Sequence, residues 1–254
     1  MLEFYLERHS DFSSFYQVFV ERSYPNLIKK IKQRDNVIDA GANIGIFTVI
    51  ASTLVGTDGR VIAIEPDPEN ICTLKRNVEL NKLTNVEVLT KALYKESGKR
   101  IKFNQNGTMS KIISGEMKTD SANIDVETIT FDDIISKRKI KPNILKMDIE
   151  GAEKFALLSA EKMVKNINYL EAEIHSKDDF DILKKFSNLF LFKEEPAESI
   201  HNTCSFGIKH PLKILKLEYH NRFKTTKRII LSLKSNPNVS EYPIIVYGER
   251  VPLG

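Results

Sequence analysis

The sequence predicts a doubly wound α/β fold built on a mostly parallel, Rossmann-like sheet, with an N-terminal helical segment and a late basic insertion. Three features of the chain point to it. Two strand-length runs, Val37 to Asp39 and Arg60 to Pro66, flank an amphipathic stretch from Ile44 to Val55, giving a strand-helix-strand unit within about 30 residues. The same alternation resumes between Asn143 and Lys193. Between the first strand and its helix lies an elbow of small residues, with Gly41, Asn43 and Gly45, as βα turns have where a ligand nears the backbone.

In chain order, Phe12 to Gln33 reads as helical with a break at Pro25, its stripe of Phe12, Phe15, Tyr16 and Phe19 being a packing face. The elbow helix ends in a Gly56 to Gly59 turn, the second strand follows, and Pro68 to Asn81 reads as a helix with Pro68 in its first turn. Val86 to Leu93 is the third strand. From Gly98 to Thr130 the pattern loosens into alternating pieces, Arg100 to Asn104 and Asp125 to Thr130, expected to form an inserted hairpin or flap. Then come a strand at Asn143 to Ile149, one helix at Ala152 to Asn166, a strand at Tyr169 to His175, a helix to about Phe186, and strands at Leu189 to Lys193 and Pro243 to Tyr247. The segments are therefore 1–34, helical; 35–194, the core; 195–242, a basic insertion read as short helices; and 243–254, the last strand.

At 254 residues, 41% hydrophobic and 28% charged, the chain reads as soluble and globular. No apolar run approaches the roughly 20 residues of a bilayer span, and the start MLEFYLERHSDF lacks a signal-peptide pattern, so the cytoplasm is the expected location. Cys72 and Cys204 have no metal-ligand spacing and read as free thiols. A net charge of +4 permits an anionic partner without requiring one.

The elbow narrows the ligand. A dinucleotide fingerprint wants glycine at positions 41, 43 and 46, where this chain has Gly41, Asn43 and Ile46, and no phosphate-binding G-x-x-x-x-G-K-[ST] occurs. Glu65, ending the second strand, suits a ribose diol. Asp39 at the mouth of the elbow would repel a pyrophosphate but suit an ammonium, which favours S-adenosylmethionine.

The stretches VIDAGANIGIFT, VIAIEPDPENICTLKRNVELN and VEVLTKALYKESGK resemble the first three motifs of a class I methyltransferase. ILKMDIEGAE, with TITFDDI before it and LEAEIH after it, resembles the FkbM family, so the likeness runs from Asp35 to His175. It implies Asp39, Gly41, Asn43 and Gly45 around the methionine moiety, with Thr48 just inside the helix. It also implies Glu65 on the ribose, Pro66 and Asp67 beside the adenine, and Ala92 and Leu93 closing the adenine pocket. The final 60 or so residues match no family pattern.

Methyl transfer to an alcohol requires a group to manage the acceptor's proton. Asp148 and Glu150 follow the fourth strand, while Glu173 and His175 share a face of the fifth by their i, i+2 spacing, so Asp148, Glu173 and His175 are the candidate catalytic group, Asp148 also meeting the cofactor. His175 is expected to be the base because its ordinary pKa lies near 6.5. Glu153 and Glu171 read as solvated charges, and Glu150 with Gly151 as either a helix cap or a functional pair. A divalent metal such as Mg²⁺ on Asp148, Glu173 and His175 is the alternative to metal-free chemistry.

The absence of a [DN]-P-P-[YFW] stretch and of a Pro-Cys pair, Cys204 following Thr203, argues against base-amine and cytosine C5 methylation. The FkbM resemblance implies a sugar or polyketide hydroxyl, hence a small-molecule or glycan acceptor. NGTMSKI, Asn106 to Ile112, is either a lid bringing Ser110 to the site or a solvent loop. Lys209, Lys213, Lys216, Arg222, Lys224, Lys227 and Arg228, with Tyr219 and Phe223 as stacking residues, keep a nucleic-acid partner or an anionic membrane surface open. A non-catalytic S-adenosylmethionine-binding protein is the third class.

Overall fold

The first elements in chain order are a strand β1 (Glu3–Leu6) and helices α1 (His9–Phe19) and α2 (Pro25–Lys30). The α/β series continues with β2 (Asn36–Ala40), α3 (Ile46–Val55), β3 (Arg60–Ile64), α4 (Pro68–Leu80) and β4 (Val86–Leu89). Then come β5 (Ala92–Leu93), β6 (Arg100–Asn104), β7 (Lys111–Ile112), β8 (Asn123–Ile129), α5 (Phe131–Arg138) and β9 (Ile144–Met147). The chain finishes with α6 (Glu153–Leu157), α7 (Glu161–Val164), β10 (Tyr169–Ile174), α8 (Lys177–Lys184), β11 (Phe190–Pro196), β12 (Lys216–Tyr219) and β13 (Ile244–Arg250). This computed structural model describes residues 2–19, 24–104, 111–112, 123–186, 190–196, 216–219 and 244–250.

The main sheet has the order β11-β13-β10-β9-β2-β3-β4, with β13 antiparallel to both of its neighbours and the remaining neighbours parallel. Strands β2, β3 and β9 are mostly apolar, with Asp39 and Lys146 the buried charges among them, because helices cover both of their faces. Val37, Val61 and Ile144 pack against α2 and α3, while Ile38, Ile62 and Leu145 face the cluster formed with α5, α6 and α7. Winding runs one way from β2 through β3 to β4 and the other way from β9 to β10. The switch point therefore falls between the carboxyl ends of β2 and β9, where open α/β sheets bind ligands.

The doubly wound sheet and the hairpin insertion appear as the sequence predicts, β6 pairing antiparallel with β8. Four local readings are corrected. The third strand is two: β4 stays in the main sheet, while Ala92 and Leu93 leave it to pair with Thr128 and Ile129. The helix expected over Ala152 to Asn166 is broken, because Ser159 Oγ bonds the carbonyls of Tyr94 and Ala156 and the Asp132 carboxylate accepts the Lys162 and Met163 amides that begin α7. β1, unforeseen, is held by α4: Asn77 Oδ1 accepts the Tyr5 amide at 2.6 Å, and Asn81 bonds both the amide and the carbonyl of Glu3. Lys216 to Tyr219, read as helical, is a strand parallel to β1. Residues 197–215, with Cys204, and 220–242 of the basic insertion, and Asn106 to Ser110 of the NGTMSKI stretch, lie outside the described residues.

Candidate active site

The elbow after β2 is tighter than its composition suggests. Gly41, Asn43 and Gly45 all have positive φ, at 75°, 50° and 83°. A Cβ on Gly41 would lie 1.7 Å from the Asp148 carbonyl oxygen, and one on Gly45 would lie 2.9 Å from Leu74 Cγ. The chain's own packing therefore dictates both glycines. The elbow amides are also used internally: Gly41 and Ala42 donate to the Ile64 carbonyl, Asn43 to Glu65 Oε2, Ile44 to Asn43 Oδ1 and Gly45 to the Ala42 carbonyl. The turn therefore has few N–H groups to offer a ligand, although a small-residue elbow entering a helix is the kind that usually presents them. With its donors consumed, the elbow is no phosphate cradle.

Glu65 is nearly buried at the end of β3, its Oε2 accepting from Asn43 N–H at 2.8 Å and its Oε1 from Asp67 N–H at 3.0 Å. Burial raises its carboxyl to about 7 against the lowering effect of these donors. Asp67 caps α4 by accepting the Glu69 amide, and Pro66 bridges the two acids. Ala92 and Leu93 turn their side chains into hydrophobic clusters.

Asp39 does not offer the carboxylate to a ligand that its position in the sequence suggests. It is fully buried, Thr48 Oγ1 donates to its Oδ2 at 2.5 Å, and Lys146 Nζ lies 3.4 Å from its Oδ1. Lys146 also donates to the Gly41 carbonyl at 2.6 Å. Sheet register sets Asp39, Lys146 and Glu171 side by side on β2, β9 and β10. Burial pulls the Lys146 ammonium toward neutrality, but Asp39 and Asp148 outweigh it and hold its pKa above the ordinary value. Glu171, expected in solvent, is fully buried and accepts the Leu27 amide in the first turn of α2. Tyr24 closes the row from above. Its ring stacks edge-on against Phe47 and lies 5.2 Å from Lys146 Nζ, and its hydroxyl donates to Asp148 Oδ2 at 2.7 Å. Burial and the neighbouring Asp148 charge raise this hydroxyl well above its ordinary value, so it stays protonated.

One strand over, Asp148, Glu150, Glu173 and His175 meet at the carboxyl edge of β9 and β10. His175 Nε2 lies 3.6 Å from Glu150 and 3.8 Å from Glu173, while its Nδ1 lies 3.1 Å from Glu153. Glu153, the second acid expected in solvent, is fully buried, and its Oε1 accepts the Ile149 amide. Burial and the Asp148 charge raise Glu173 to about 8 and Glu150 to about 7. Burial disfavours the imidazolium of His175, but its Glu153 partner and the surrounding acids raise it to about 9. His175 is therefore a cation at neutral pH, which corrects its assignment as the base. Glu150 does not cap a helix, since α6 starts after Ala152; its φ of 55° stores strain in the turn beside His175. Among the described residues no three His, Cys, Asp or Glu side chains are arranged to hold a metal ion, and no helix is long and apolar enough to cross a membrane.

Tyr24, Lys146, Glu153 and Glu171 thus join the residues found from sequence. Lys146 within ILKM and Glu171 within LEAEI had a usable signal, a charge inside a buried strand. Tyr24 had none.

A model of the Methyltransferase FkbM domain matches residues 39–195. Hexuronic acid methyltransferase AglP of Haloferax volcanii is 29% identical over 175 residues, which cover 66% of this chain and 68% of that protein. Methyltransferase 1 of Beauveria bassiana is 24% identical over 162 residues, covering 54% of this chain and 62% of that protein. A solved FkbM methyltransferase structure from Methylobacillus flagellatus KT aligns with a TM-score of 0.49 at 16% identity, over 96% of this chain and 56% of that one.

Proposed function

This chain belongs to the FkbM methyltransferase family, and from that premise we propose that it methylates a hydroxyl of a sugar or glycosylated metabolite. It is an S-adenosylmethionine-dependent methyltransferase; the acceptor is our own inference. The observation that carries the inference is the acid-lined edge of β9 and β10, where Glu173 and Glu150 have pKa values of about 8 and 7. A neutral hydroxyl needs such proton acceptors, whereas an amine or thiol needs little help. The likeness to a hexuronic acid methyltransferase supports the sugar class.

The residues of the cofactor half fit S-adenosylmethionine. Glu65 Oε2 has one internal donor, leaving a lone pair for a ribose hydroxyl, and the donor-poor elbow favours a ligand without phosphates. When bound, the cofactor supplies a methyl group already activated on a sulfonium. The chain's part is to align the acceptor oxygen and remove its proton. Glu173 takes that proton as the new C–O bond forms. His175, as an imidazolium, orients the Glu173 and Glu150 carboxylates and limits the rise of both pKa values. Activity then rises with pH through about 8, as Glu173 ionises, and falls through about 9, as His175 loses its charge.

Labelled methyl transfer onto neutral methyl glycosides and onto hexuronic acids tests the acceptor class. A base-stable methyl ether is expected. Label found only in a base-labile ester would overturn the hydroxyl inference, and label found only in RNA would overturn the sugar class.

A further inference from the structure

The structure leaves the ammonium of the cofactor's methionine moiety without the counter-ion the sequence offered for it, because Asp39 is fully buried and faces Thr48 and Lys146. Glu65 is held by the Asn43 and Asp67 amides, and the other carboxylate fastened beside the elbow is Asp148. Its amide donates to the Ala40 carbonyl, and its own carbonyl packs on Gly41, so its backbone is fastened to the elbow itself. Unlike Asp39 it is partly exposed, and among the described residues its Oδ1 has no hydrogen-bond donor. Its Oδ2 is gripped by Tyr24, a residue that precedes the matched 39–195 domain and reaches Asp148 from 124 positions away.

We propose that Asp148 is the counter-ion of the methionine ammonium and that Tyr24 is the positioning residue that aims it. The Tyr24 hydroxyl occupies Oδ2 and so turns Oδ1 toward the ligand. Tyr24 is itself well placed to hold a fixed geometry. It is 4% exposed, wedged against Phe47, and followed at once by α2, whose first turn is pinned to β10 by Glu171. Asp148 thereby belongs to the cofactor half, leaving Glu173 with its partner His175 for the acceptor. The proposal rests on the assignment of S-adenosylmethionine as cofactor.

Tyr24→Phe removes one oxygen while keeping the ring that packs on Phe47 and Lys146. Calorimetric binding of S-adenosylhomocysteine, which carries the ammonium, is compared with that of 5′-methylthioadenosine, which lacks the amino-acid moiety. Tyr24→Phe is expected to weaken S-adenosylhomocysteine about 5-fold and Asp148→Asn about 30-fold, with methylthioadenosine held within about 2-fold in both. In the Asp148→Asn background, Tyr24→Phe should add little. Equal losses for the two ligands, or no loss for either, would overturn the proposal while leaving the cofactor assignment standing. A wild-type chain that binds neither ligand would overturn both.

Discussion

At the carboxyl ends of β2 and β3 the buried acids Asp39 and Glu65 are matched: Asp39 by Thr48 and Lys146, Glu65 by two backbone amides. At the ends of β9 and β10 four carboxylates, Asp148, Glu150, Glu153 and Glu173, crowd about one imidazole. Both groups sit on the same sheet edge, so the difference lies in how each charge is compensated. A matched set is held rigid by its partners, although burial still carries Glu65, which has amides but no cation, to about 7. A crowded set shares too little positive charge, so burial and the neighbouring Asp148 charge raise Glu173 to about 8 and Glu150 to about 7, where protons can move during turnover. In the proposed function the first half, joined by Asp148, holds the cofactor, and Glu173 with Glu150 and His175 does the acid-base work.

The largest effect should come from unmatching the first half. Lys146→Met leaves Asp39 buried without a cation and is expected to cost about 3–5 kcal/mol of stability, read as a drop in Tm of roughly 10 °C. Adding Asp39→Asn should restore most of it. A single variant as stable as the wild type would mean that the pair does not carry the compensation assigned to it.

Next in size is a change to the crowded half. Glu173→Gln is expected to lower kcat about 10²- to 10³-fold with S-adenosylhomocysteine affinity unchanged. If cofactor affinity fell with kcat, the division between the two halves would be lost.

Glu65→Gln should do the reverse, weakening S-adenosylhomocysteine about 10-fold. The wild-type affinity should also climb between pH 6 and 8, because a diol binds the ionised carboxylate and Glu65 ionises near 7. The sign for stability is opposite. A folded carboxyl at about 7, above its ordinary 4.5, binds a proton that the unfolded chain has already released. Ligand-free stability therefore declines as pH rises from about 5 through 7. A pH-independent affinity would remove Glu65 from the ribose site.

The smallest effect sharpens the crowded half. His175→Gln deletes the charge that lowers Glu173, so the rising limb of the activity profile should move alkaline by about one pH unit. An unmoved limb would mean that His175 does not tune Glu173.

Much of this was legible in the chain itself. The strand-helix alternation, the elbow and the acids at the strand ends follow from local periodicity, which the main sheet preserves because its central strands are buried on both faces. The broken helix at Ser159 was not legible, since the Asp132 carboxylate that begins α7 comes from another helix. Glu153 and Glu171 looked like surface charges because a glutamate's usual place is in water, and only their buried partners reverse that.

What the sequence determined by itself is therefore the fold class, the family and the gathering of acids at the carboxyl edge of the sheet. Each depends on spacing within a few turns of chain. What only the tertiary structure decided is which acid is spent inside the protein and which is left for a ligand. Asp39 and Asp148 look alike in sequence, each an acid at the end of a buried strand. Parallel register brings Lys146 beside the first, and a fold-back from the N-terminal segment brings Tyr24 to the second. Charge compensation is a property of neighbours in space, and these neighbours lie more than a hundred residues apart along the chain.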